Sequence, residues 1–332
     1  MSAFVRCLRA SRAVVKASVL AAIVLAAPSA SAQHLVNFGD TIDEPGVYFL
    51  NGDQHGSGVG LVITADDVAL FMFRFTLRND VGAPPAVGPV GIVMAGCDNA
   101  NLFGGRVTGF TLGLSMGQCT NCTIKDTRFD HNEVGGIEMS LVSKSAFVRV
   151  HTDHNGSNGI AGYDCSDNRF LSVRSDENDE DGLLLRGEVF GLVEAGFRSS
   201  GNTVKKCWFA YNGANGLELR DADDNTVEEN QSVANEYCGI LLSSSDTIEW
   251  LGGGPPPVDG SDGNRVAKNW CPANRDGIAV DDGCTDNHLV QNIALASFGF
   301  DAFDDNDAPP CANTWFLNTV LTRGGAGAIC IF

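Results

Sequence analysis

Three stretches of this 332-residue chain repeat one another at a constant distance. Residues 128–140 read RFDHNEVGGIEMS, residues 151–163 read HTDHNGSNGIAGY, and residues 174–186 read RSDENDEDGLLLR. In each stretch an Asn is followed, four residues later, by a Gly and an apolar residue. The Gly-apolar pair recurs from Gly113 to Gly299 at intervals of 23, 23, 23, 34, 23, 38 and 22 residues. The repeat is therefore about 23 residues long, and its two long intervals carry inserted loops.

Three rows of Asn keep the same step as the glycines. They comprise Asn132, Asn155, Asn178, Asn212, Asn235 and Asn274; Asn168, Asn202, Asn225, Asn264 and Asn287; and Asn230, Asn269, Asn292 and Asn318. Short alternating strands punctuated by Gly and Asn at a constant period are typical of a parallel β-solenoid, not of helices. Residues one period apart then lie about 4.8 Å apart. The Asn side chains can hydrogen-bond between coils, and Asn also tolerates left-handed turns. The competing architecture, a leucine-rich repeat, would need an LxxLxL motif and a helical half, which are absent.

Units such as residues 131–139 (HNEVGGIEM) and 211–219 (YNGANGLEL) resemble the right-handed parallel β-helix proteins. This group includes pectate-lyase-like enzymes and the β-helix repeats of the nitrous-oxide accessory protein. The stretches at residues 46–50 and 60–68 are similar to first coils of the group. The resemblance implies an all-β, single-stranded right-handed parallel β-helix of about ten coils of 22–23 residues, in one domain over residues 33–332. Such folds host many chemistries, so the fold alone does not determine the activity.

The first 32 residues have the pattern of a secretory signal. Four bases and no acid precede an apolar run at residues 17–27, and the small residues Ala30, Ser31 and Ala32 precede Gln33. This run is too short for a membrane-spanning helix, which needs about 20 residues. We therefore expect residues 1–32 to be a signal peptide, and the mature protein to be secreted or periplasmic without membrane insertion.

The charge balance argues against nucleic acid as a partner. The chain has 22 Lys and Arg against 41 Asp and Glu, and without the four bases of the signal the balance is 18 − 41, or −23. Nucleic-acid affinity comes mostly from Lys and Arg that replace counterions. Acid clusters at residues 176–181, 221–224 and 301–307 could bind Ca²⁺ or simply keep the surface soluble, and none has EF-hand spacing. The sequence predicts no definite metal site or cofactor.

Ten of the 11 cysteines lie after the signal, and an even number in an exported protein favours disulfides. Cys97 and Cys119 are one coil apart, as are Cys284 and Cys311 with a few inserted residues. One coil lies inside the Cα window for a disulfide, about 4.4 to 6.8 Å, so we predict both bridges. The pairing of the others stays open: Cys122, Cys165, Cys207, Cys238, Cys271 and Cys330. An apolar solenoid end at residues 328–332 could be capped covalently through Cys330, or associate end to end with a second copy.

Outward positions follow from the alternation of faces along a strand. On the strand before the first Asn row they are Arg128, His151, Arg174, Trp208, Gln231 and Trp270, with Arg149 beside them. Trp208 and Trp270 are two coils apart, about 9.6 Å, which is comparable to two sugar units, and aromatic faces stack on sugar rings. We therefore predict that an extended polysaccharide binds through Arg128, Arg149, Trp208 and Trp270. Alternatively, the two Trp pack beneath the inserted loops.

Two histidines beside carboxylates recur one period apart, in Asp130-His131-Asn132 and Asp153-His154-Asn155. Such a His can act as a general base or acid near neutral pH. With Arg174 or Arg149 neutralising a uronate carboxylate, His154 or His151 could abstract the proton on C5. The predicted catalytic set is His151, Asp153, His154 and Arg174. Alternatively, these residues only bond local backbone in turns, or hold a metal ion.

We therefore expect a protein that binds polysaccharide and that, if it is an enzyme, is a lyase or epimerase of uronic-acid glycans. Residues 274–278 (NRDGI) resemble the Asn-Thr-Asp-Gly element of polygalacturonases, but the other elements of that hydrolase family are missing. The alternatives are a non-catalytic secreted or periplasmic scaffold and a metal-handling accessory protein. On the strand after the glycine, Arg186 and Arg220 are stacked like charges. They form either an ion-pair lattice with Glu218 or a carboxylate-binding pair.

Overall fold

The computed structural model describes residues 34–80, 88–187, 198–244 and 260–332. Within these residues, short strands pair in parallel with the strands one coil earlier and one coil later, forming one sheet of 18 strands and one of 12. The predicted parallel β-helix is confirmed. The 12 strands of the second sheet make the stack somewhat longer than the ten coils expected.

Along the chain, one or two strands of the first sheet are followed by one strand of the second. The first sheet comprises His34–Val36, Gly46–Leu50, Gln54–Gly56, Val68–Asn79, Asn101–Thr108, Thr123–Lys125, Arg128–Asp130, Ala146–Val148, His151–Asp153, Arg169–Leu171, Arg174–Asp176, Thr203–Lys205, Trp208–Ala210, Thr226–Glu228, Gln231–Val233, Arg265–Ala267, His288–Val290 and Thr314–Phe316. The second sheet comprises Asp40–Ile42, Leu61–Ile63, Val90–Ala95, Leu112–Gly117, Gly135–Ser140, Ile160–Tyr163, Leu183–Arg186, Leu217–Arg220, Cys238–Ser243, Asp276–Val280, Ala302–Asp304 and Arg323–Gly324. One 3-10 turn covers Ala328–Cys330.

The register converts the sequence period into spatial neighbours. In the second sheet Ile137 pairs with Ile160, and Ile160 with Leu183. This inward row is almost completely buried, and Phe147 and Phe170 stack inside the first sheet with ring centroids 5.0 Å apart. Full burial of such a side chain contributes about 1.5–3 kcal/mol, so the apolar rows supply the core of the stack.

The Asn rows form hydrogen-bonded ladders in the interior, as predicted. Oδ1 of Asn155 accepts from the backbone N–H of Asn132 at 3.1 Å and from its Nδ2 at 3.0 Å, and Nδ2 of Asn155 donates to Oδ1 of Asn178 at 2.9 Å. The other two ladders repeat this pattern along Asn168, Asn202, Asn225, Asn264, Asn287 and Asn313, and along Asn230, Asn269, Asn292 and Asn318. An unbonded buried amide costs about 1–3 kcal/mol, so the ladders favour this stacking register over others.

The left-handed turn positions are not the ladder asparagines but the residues immediately before them. His131, His154 and Glu177 have φ values of 52°, 55° and 55°. This corrects the expectation that Asn itself adopts this conformation. Each ladder Asn must direct its side chain inward to reach the next coil, so the preceding residue makes the turn and its side chain is exposed. The geometry therefore places His131 and His154 on the surface.

The cysteine pairing differs from the prediction. Cys97, Cys119 and Cys284 are buried free thiols, and Cys311 forms a disulfide with Cys330. Side chains in register on parallel coils point the same way, so their Cβ atoms stay about 4.8 Å apart, whereas a disulfide needs about 3.8 Å. Cys284 also points inward, where its Sγ accepts from the backbone N–H of Ser261, whereas Cys311 is exposed. The covalent cap through Cys330, left open by the sequence, is present.

The predicted signal peptide, residues 1–32, lies outside the described residues, as do residues 188–197 and 245–259 of the inserted loops. In the described part of the chain, no helix has the length and apolar character needed to cross a membrane.

Candidate functional site

The predicted outward row lies in one column of the first sheet. Arg128 pairs with His151, His151 with Arg174, and Arg174 with Trp208. The column continues through a further pair of bridges to Trp270, and Arg106 extends it by one coil at the other end. We call this set the basic-aromatic strip: Arg106, Arg128, His151, Arg174, Trp208, Gln231 and Trp270. The sequence reasoning missed Arg106, although its position 22 residues before Arg128 fits the period.

A row of buried carboxylates anchors the arginines of the strip. Asp130, Asp153 and Asp176 each lie two residues beyond the strip position, on the same face of the strand, and their side chains are 0%, 11% and 5% exposed. They are covered by the guanidinium groups themselves. Arg128 forms an ion pair with Asp130, with Nε 2.7 Å from the carboxylate, and donates from NH2 to Asp153 at 2.6 Å. Asp153 was predicted as a catalytic residue, and here it positions Arg128.

Arg174 is held in the same way. Its Nε and NH2 both donate to the carboxylate of Asp176, each at 2.8 Å, and this hydrogen bonding raises the pKa of Arg174. Arg106 donates from Nε to Asp130 at 2.7 Å. The side chains of Arg106, Arg128 and Arg174 remain 44–55% exposed. Since a guanidinium has five N–H donors, each arginine is fixed in place while it still presents donors to solvent.

His151 lies between two of these arginines and is positioned to accept a proton. Partial burial of the ring is the main cause that lowers its pKa, and the charge of Arg174 is the second. A lowered pKa favours the neutral form of the ring, which is the form that can accept a proton. Among the described residues, neither ring nitrogen has a hydrogen-bond partner. A neutral imidazole with an available nitrogen has the properties of a general base.

His154 is a weaker candidate because both of its ring nitrogens face carboxylates. Nδ1 lies 3.1 Å from Asp153 and Nε2 lies 2.8 Å from Glu177. The ring also stacks on that of His131, with centroids 4.9 Å apart and planes 7° apart. These contacts hold the His154 ring against neighbouring surface residues and leave neither of its nitrogens away from a carboxylate.

Arg149 lies at the corner before the strip rather than on it. Its backbone is left-handed, with φ of 52°, and it donates from Nε and NH2 to Asp126 at 2.6 and 2.7 Å. Hydrogen bonding to Asp126 raises the pKa of Arg149, and hydrogen bonding to Arg149 lowers that of Asp126. The structure does not place Arg149 with the other predicted site residues.

The two tryptophans of the strip face outward. The ring of Trp270 is 42% exposed and Trp208 is half-buried, and they lie two coils apart in the same column. The predicted spacing of the two aromatic side chains is confirmed. Their role in binding stays a prediction.

The outward face of the second sheet carries a different group of charges. Glu218 is buried, and its Oε1 accepts from Nε of Arg220 and from the hydroxyl of Ser243, each at 2.7 Å. Arg220 is therefore paired, as the ion-pair interpretation expects. Arg186, one coil earlier, has a buried Nε–H without a hydrogen-bond partner in the part of the chain that the structure describes.

Asp181 is a further feature of this face that sequence reasoning missed. Its backbone position precedes Gly182, and Oδ1 accepts from the backbone N–H of Asn215 at 2.8 Å. Burial, followed by the charge of Glu218, raises the pKa of Asp181 to about 8. Glu218 is itself paired with Arg220, so Asp181 is the carboxyl group whose charged form is disfavoured here. Only the fold shows this, because 37 residues separate the two positions.

The acid clusters considered for Ca²⁺ have other contacts. Asp304 accepts from Nε1 of Trp315 at 2.8 Å, and Asp301 accepts from the backbone N–H groups of Leu321 and Thr322 at 3.0 and 3.1 Å. Across residues 34–80, 88–187, 198–244 and 260–332, no three His, Cys, Asp or Glu side chains are grouped so that they could hold a metal ion.

The comparison with protein families identifies the repeat. Residues 90–252 match the family model for the right-handed β-helix region. No curated protein matches the sequence.

Solved structures share the fold over most of the chain. The A-module of mannuronan C-5 epimerase AlgE6 from Azotobacter vinelandii has a TM-score of 0.53 and 14% identity, covering 90% of this chain and 90% of that one. A double mutant of the periplasmic alginate epimerase AlgG has a TM-score of 0.57 and 14% identity, covering 85% and 68%. The Dettilon tailspike protein has a TM-score of 0.63 and 15% identity, covering 85% and 63%. At these identities the similarity establishes the fold alone.

Proposed function

We propose that this chain, a right-handed parallel β-helix repeat protein, binds an extended uronic-acid polysaccharide along the basic-aromatic strip. It acts on this polysaccharide as a lyase or epimerase. The proposal depends on one observation, the succession of Arg128, His151, Arg174 and Trp208 at one-coil spacing. Proteins named mannuronan C-5 epimerase and alginate epimerase share the fold, which agrees with the proposal. We further propose that the protein is secreted or periplasmic, where it would meet such polymers.

Anchored arginines are well suited to recognise carboxylated sugars. Guanidinium groups match carboxylates in planar geometry, and those of Arg128 and Arg174 are already fixed by buried Asp residues. Binding would therefore restrict few rotamers, which reduces its entropic cost. The two arginines lie two coils apart, about 9.6 Å, a spacing comparable to two sugar units. Trp208 and Trp270 then extend the same line with faces on which sugar rings can stack.

The proposed reaction begins with removal of the proton on C5 of a uronate. Arg174 hydrogen-bonds the sugar carboxylate and stabilises the negative charge that develops on it as the proton leaves. The neutral ring of His151 takes this proton and becomes an imidazolium. A water molecule that gives a proton to the opposite face of C5 produces the epimer and hydroxide, which the proton on His151 neutralises. Departure of the oxygen on C4 instead breaks the glycosidic bond and gives an unsaturated uronate. Transfer of the proton from His151 to the leaving oxygen or to solvent completes either course.

His151 and Arg174 are preferred over the alternatives on geometric grounds. Both ring nitrogens of His154 face carboxylates, and the guanidinium of Arg149 is held by Asp126 at the corner. His151 and Arg174 instead pair in register on adjacent coils.

The test measures binding and turnover separately. Polymannuronate, polyguluronate and polygalacturonate are each incubated with the protein in D₂O. Absorbance of the unsaturated uronate reports a lyase, and NMR detection of deuterium at C5 of the recovered polymer reports an epimerase. Retardation in gels containing each polymer reports binding. We expect His151→Gln to lower turnover by at least about 100-fold while retaining binding, since general bases contribute about 10²–10⁴. We expect Trp208→Ala to weaken binding about tenfold.

His288→Gln is the matched control, because His288 is an exposed outward residue on another strand column of the same sheet. This substitution should change neither the turnover nor the retardation by the polymers. Full turnover by His151→Gln would contradict the assignment of the base. Failure of the native protein to be retarded by any of the three polymers would contradict the proposed binding.

A non-catalytic polysaccharide-binding protein is the second candidate. The observation that favours it is the pairing of every strip arginine with a buried carboxylate, which is also the arrangement of a stable binding surface. Retardation by a polyuronate without unsaturated product or deuterium incorporation would support this candidate over the enzyme.

A further inference from the structure

A cavity opens on the outward face of the second sheet, away from the strand column that carries the basic-aromatic strip. Its volume is about 540 Å³, within the range of pockets that enclose small ligands. The cavity is formed where one small residue, Ala279, lies between two large residues in an outward row. Leu241, Ala279 and Phe303 occupy equivalent outward positions on three successive coils. Because Ala279 has only a methyl group, a gap one coil high remains between the two larger side chains.

Aromatic rings form two sides of this cavity. Phe300 and Phe303 both line it, with ring centroids 5.8 Å apart, and the backbone N–H of Phe300 is fixed by a 2.7 Å hydrogen bond to Oδ1 of Asp276. Tyr237 lines the cavity as well and is 47% exposed. The guanidinium carbon of Arg275 lies over its ring, 4.8 Å from the centroid. The flat faces of these rings are suited to the C–H groups of a sugar ring.

The polar side of the cavity offers donors and acceptors next to one another. Arg275 donates from Nε to Oδ2 of Asp276 at 3.1 Å, and both side chains line the cavity. A guanidinium and a carboxylate side by side can bond two neighbouring hydroxyl groups, one as acceptor and one as donor. Asn215 forms the wall toward the Asp181–Glu218 pair, since its Nδ2 donates to Glu218 at 3.1 Å.

The charge of this cavity differs from that of the strip. Its lining contains one cation, Arg275, and two carboxylates, Asp276 and Asp281, and Arg275 already pairs with Asp276. A carboxylated sugar would be repelled by this surplus of negative charge. A sugar without charge meets no such penalty and can satisfy both the aromatic and the polar sides.

We propose that this cavity is a second carbohydrate site, separate from the strip, and that it takes an uncharged sugar unit. Phe303 and the face of Tyr237 that Arg275 leaves uncovered supply the stacking faces, and Arg275 with Asp276 bonds neighbouring hydroxyls. The inference does not depend on the proposed activity of the strip, because it involves other residues on the other sheet.

The experiment is calorimetric titration of the full-length protein with uncharged tetrasaccharides, namely those of glucose, xylose, mannose and N-acetylglucosamine, and with tetragalacturonate. We expect at least one uncharged tetrasaccharide to bind, and both Phe303→Ala and Tyr237→Ala to weaken that binding about tenfold or more. The ring of Tyr237 is half exposed, so its removal leaves the fold intact and protects the test against a Phe303 variant that fails to fold. Phe316→Ala is the control, because Phe316 is an exposed aromatic residue of the first sheet that belongs neither to the strip nor to the cavity, and it should leave this binding unchanged.

The proposal is overturned if none of the uncharged tetrasaccharides binds at concentrations up to about 10 mM, which would detect even a millimolar Kd. It is also overturned if Tyr237→Ala leaves binding unchanged, or if tetragalacturonate competes for the same residues. Failure of the strip to bind polyuronates would leave these outcomes unaffected. The proposal for the cavity and the proposal for the strip are therefore tested independently.

Discussion

The interior Asn ladders provide the sharpest prediction about stability. Asn225 is 1% exposed and has four side-chain hydrogen bonds. Its Oδ1 accepts from the backbone N–H of Asn202 at 2.8 Å and from Nδ2 of the same residue at 3.0 Å. Its Nδ2 donates to the carbonyl of Ser199 at 2.9 Å and to Oδ1 of Asn264 at 3.1 Å. Asn225→Ala removes all four bonds without adding bulk.

The expected loss follows from what each former partner retains. Nδ2 of Asn202 still donates to the carbonyl of Cys165, and Oδ1 of Asn264 still accepts from the backbone of residue 225, so these two losses cost about 0.5–1.5 kcal/mol each. The backbone N–H of Asn202 loses its acceptor and stays buried, which costs about 1–3 kcal/mol. With the smaller loss at Ser199, we expect the free energy of unfolding to fall by about 3–5 kcal/mol.

Urea unfolding followed by circular dichroism measures this change. The matched control is Asn51→Ala, because Asn51 is exposed and its Nδ2 makes one hydrogen bond, to Oδ1 of Asn37 at 3.0 Å. The control should cost less than about 1 kcal/mol, as exposed substitutions usually do. A loss of similar size in both variants would refute the conclusion that the buried ladders hold the coils together.

Three further predictions concern single groups. Asp181 has a pKa of about 8 in the folded protein and about 3.9 when unfolded, so its contribution to stability is complete below pH 4 and is lost as the pH rises to 8. Asp181→Asn should remove this decrease in the free energy of unfolding, which is at most about 1.4 kcal/mol per pH unit. Urea unfolding at pH 5 and 8 measures it, and an unchanged pH dependence in the variant would contradict the assignment. NMR titration should find the pKa of His151 below the ordinary 6.5, and Arg174→Gln should raise it; no change would exclude Arg174 as a cause. Cys311→Ser should destabilise the final coil by about 3 kcal/mol, since the disulfide with Cys330 closes a 19-residue separation. Proteolysis should then begin within that coil, and an unaltered cleavage pattern would show that the disulfide does not secure it.

Much of the strip could be predicted because the stack is parallel and in register. Residues one period apart must be neighbours, and the alternation of faces along a strand indicates which of them point outward. The column of Arg128, His151, Arg174 and Trp208 follows from these two rules, and the structure has it in that order. Arg106 obeys the same rules, since it lies 22 residues before Arg128 and pairs with it in register.

The repeat period alone is not sufficient to predict which cysteines form disulfides. Cys97 and Cys119 are one coil apart, as predicted, yet both are free thiols. The period gives the distance between two Cα atoms but not the direction of their side chains, and a disulfide requires both. Cys311 reaches Cys330 because it lies in an exposed segment that departs from the repeat.

The sequence by itself determined the solenoid, the Asn ladders and the order of residues along each row, because a constant period leaves one way to stack the coils. The tertiary structure alone decided which side chains share contacts across rows. It placed Asp176 beneath Arg174, left the ring nitrogens of His151 without the carboxylate contacts that hold His154, and opened a cavity at Ala279. These outcomes depend on side-chain directions and on neighbours from several coils, and a one-dimensional period does not contain that information.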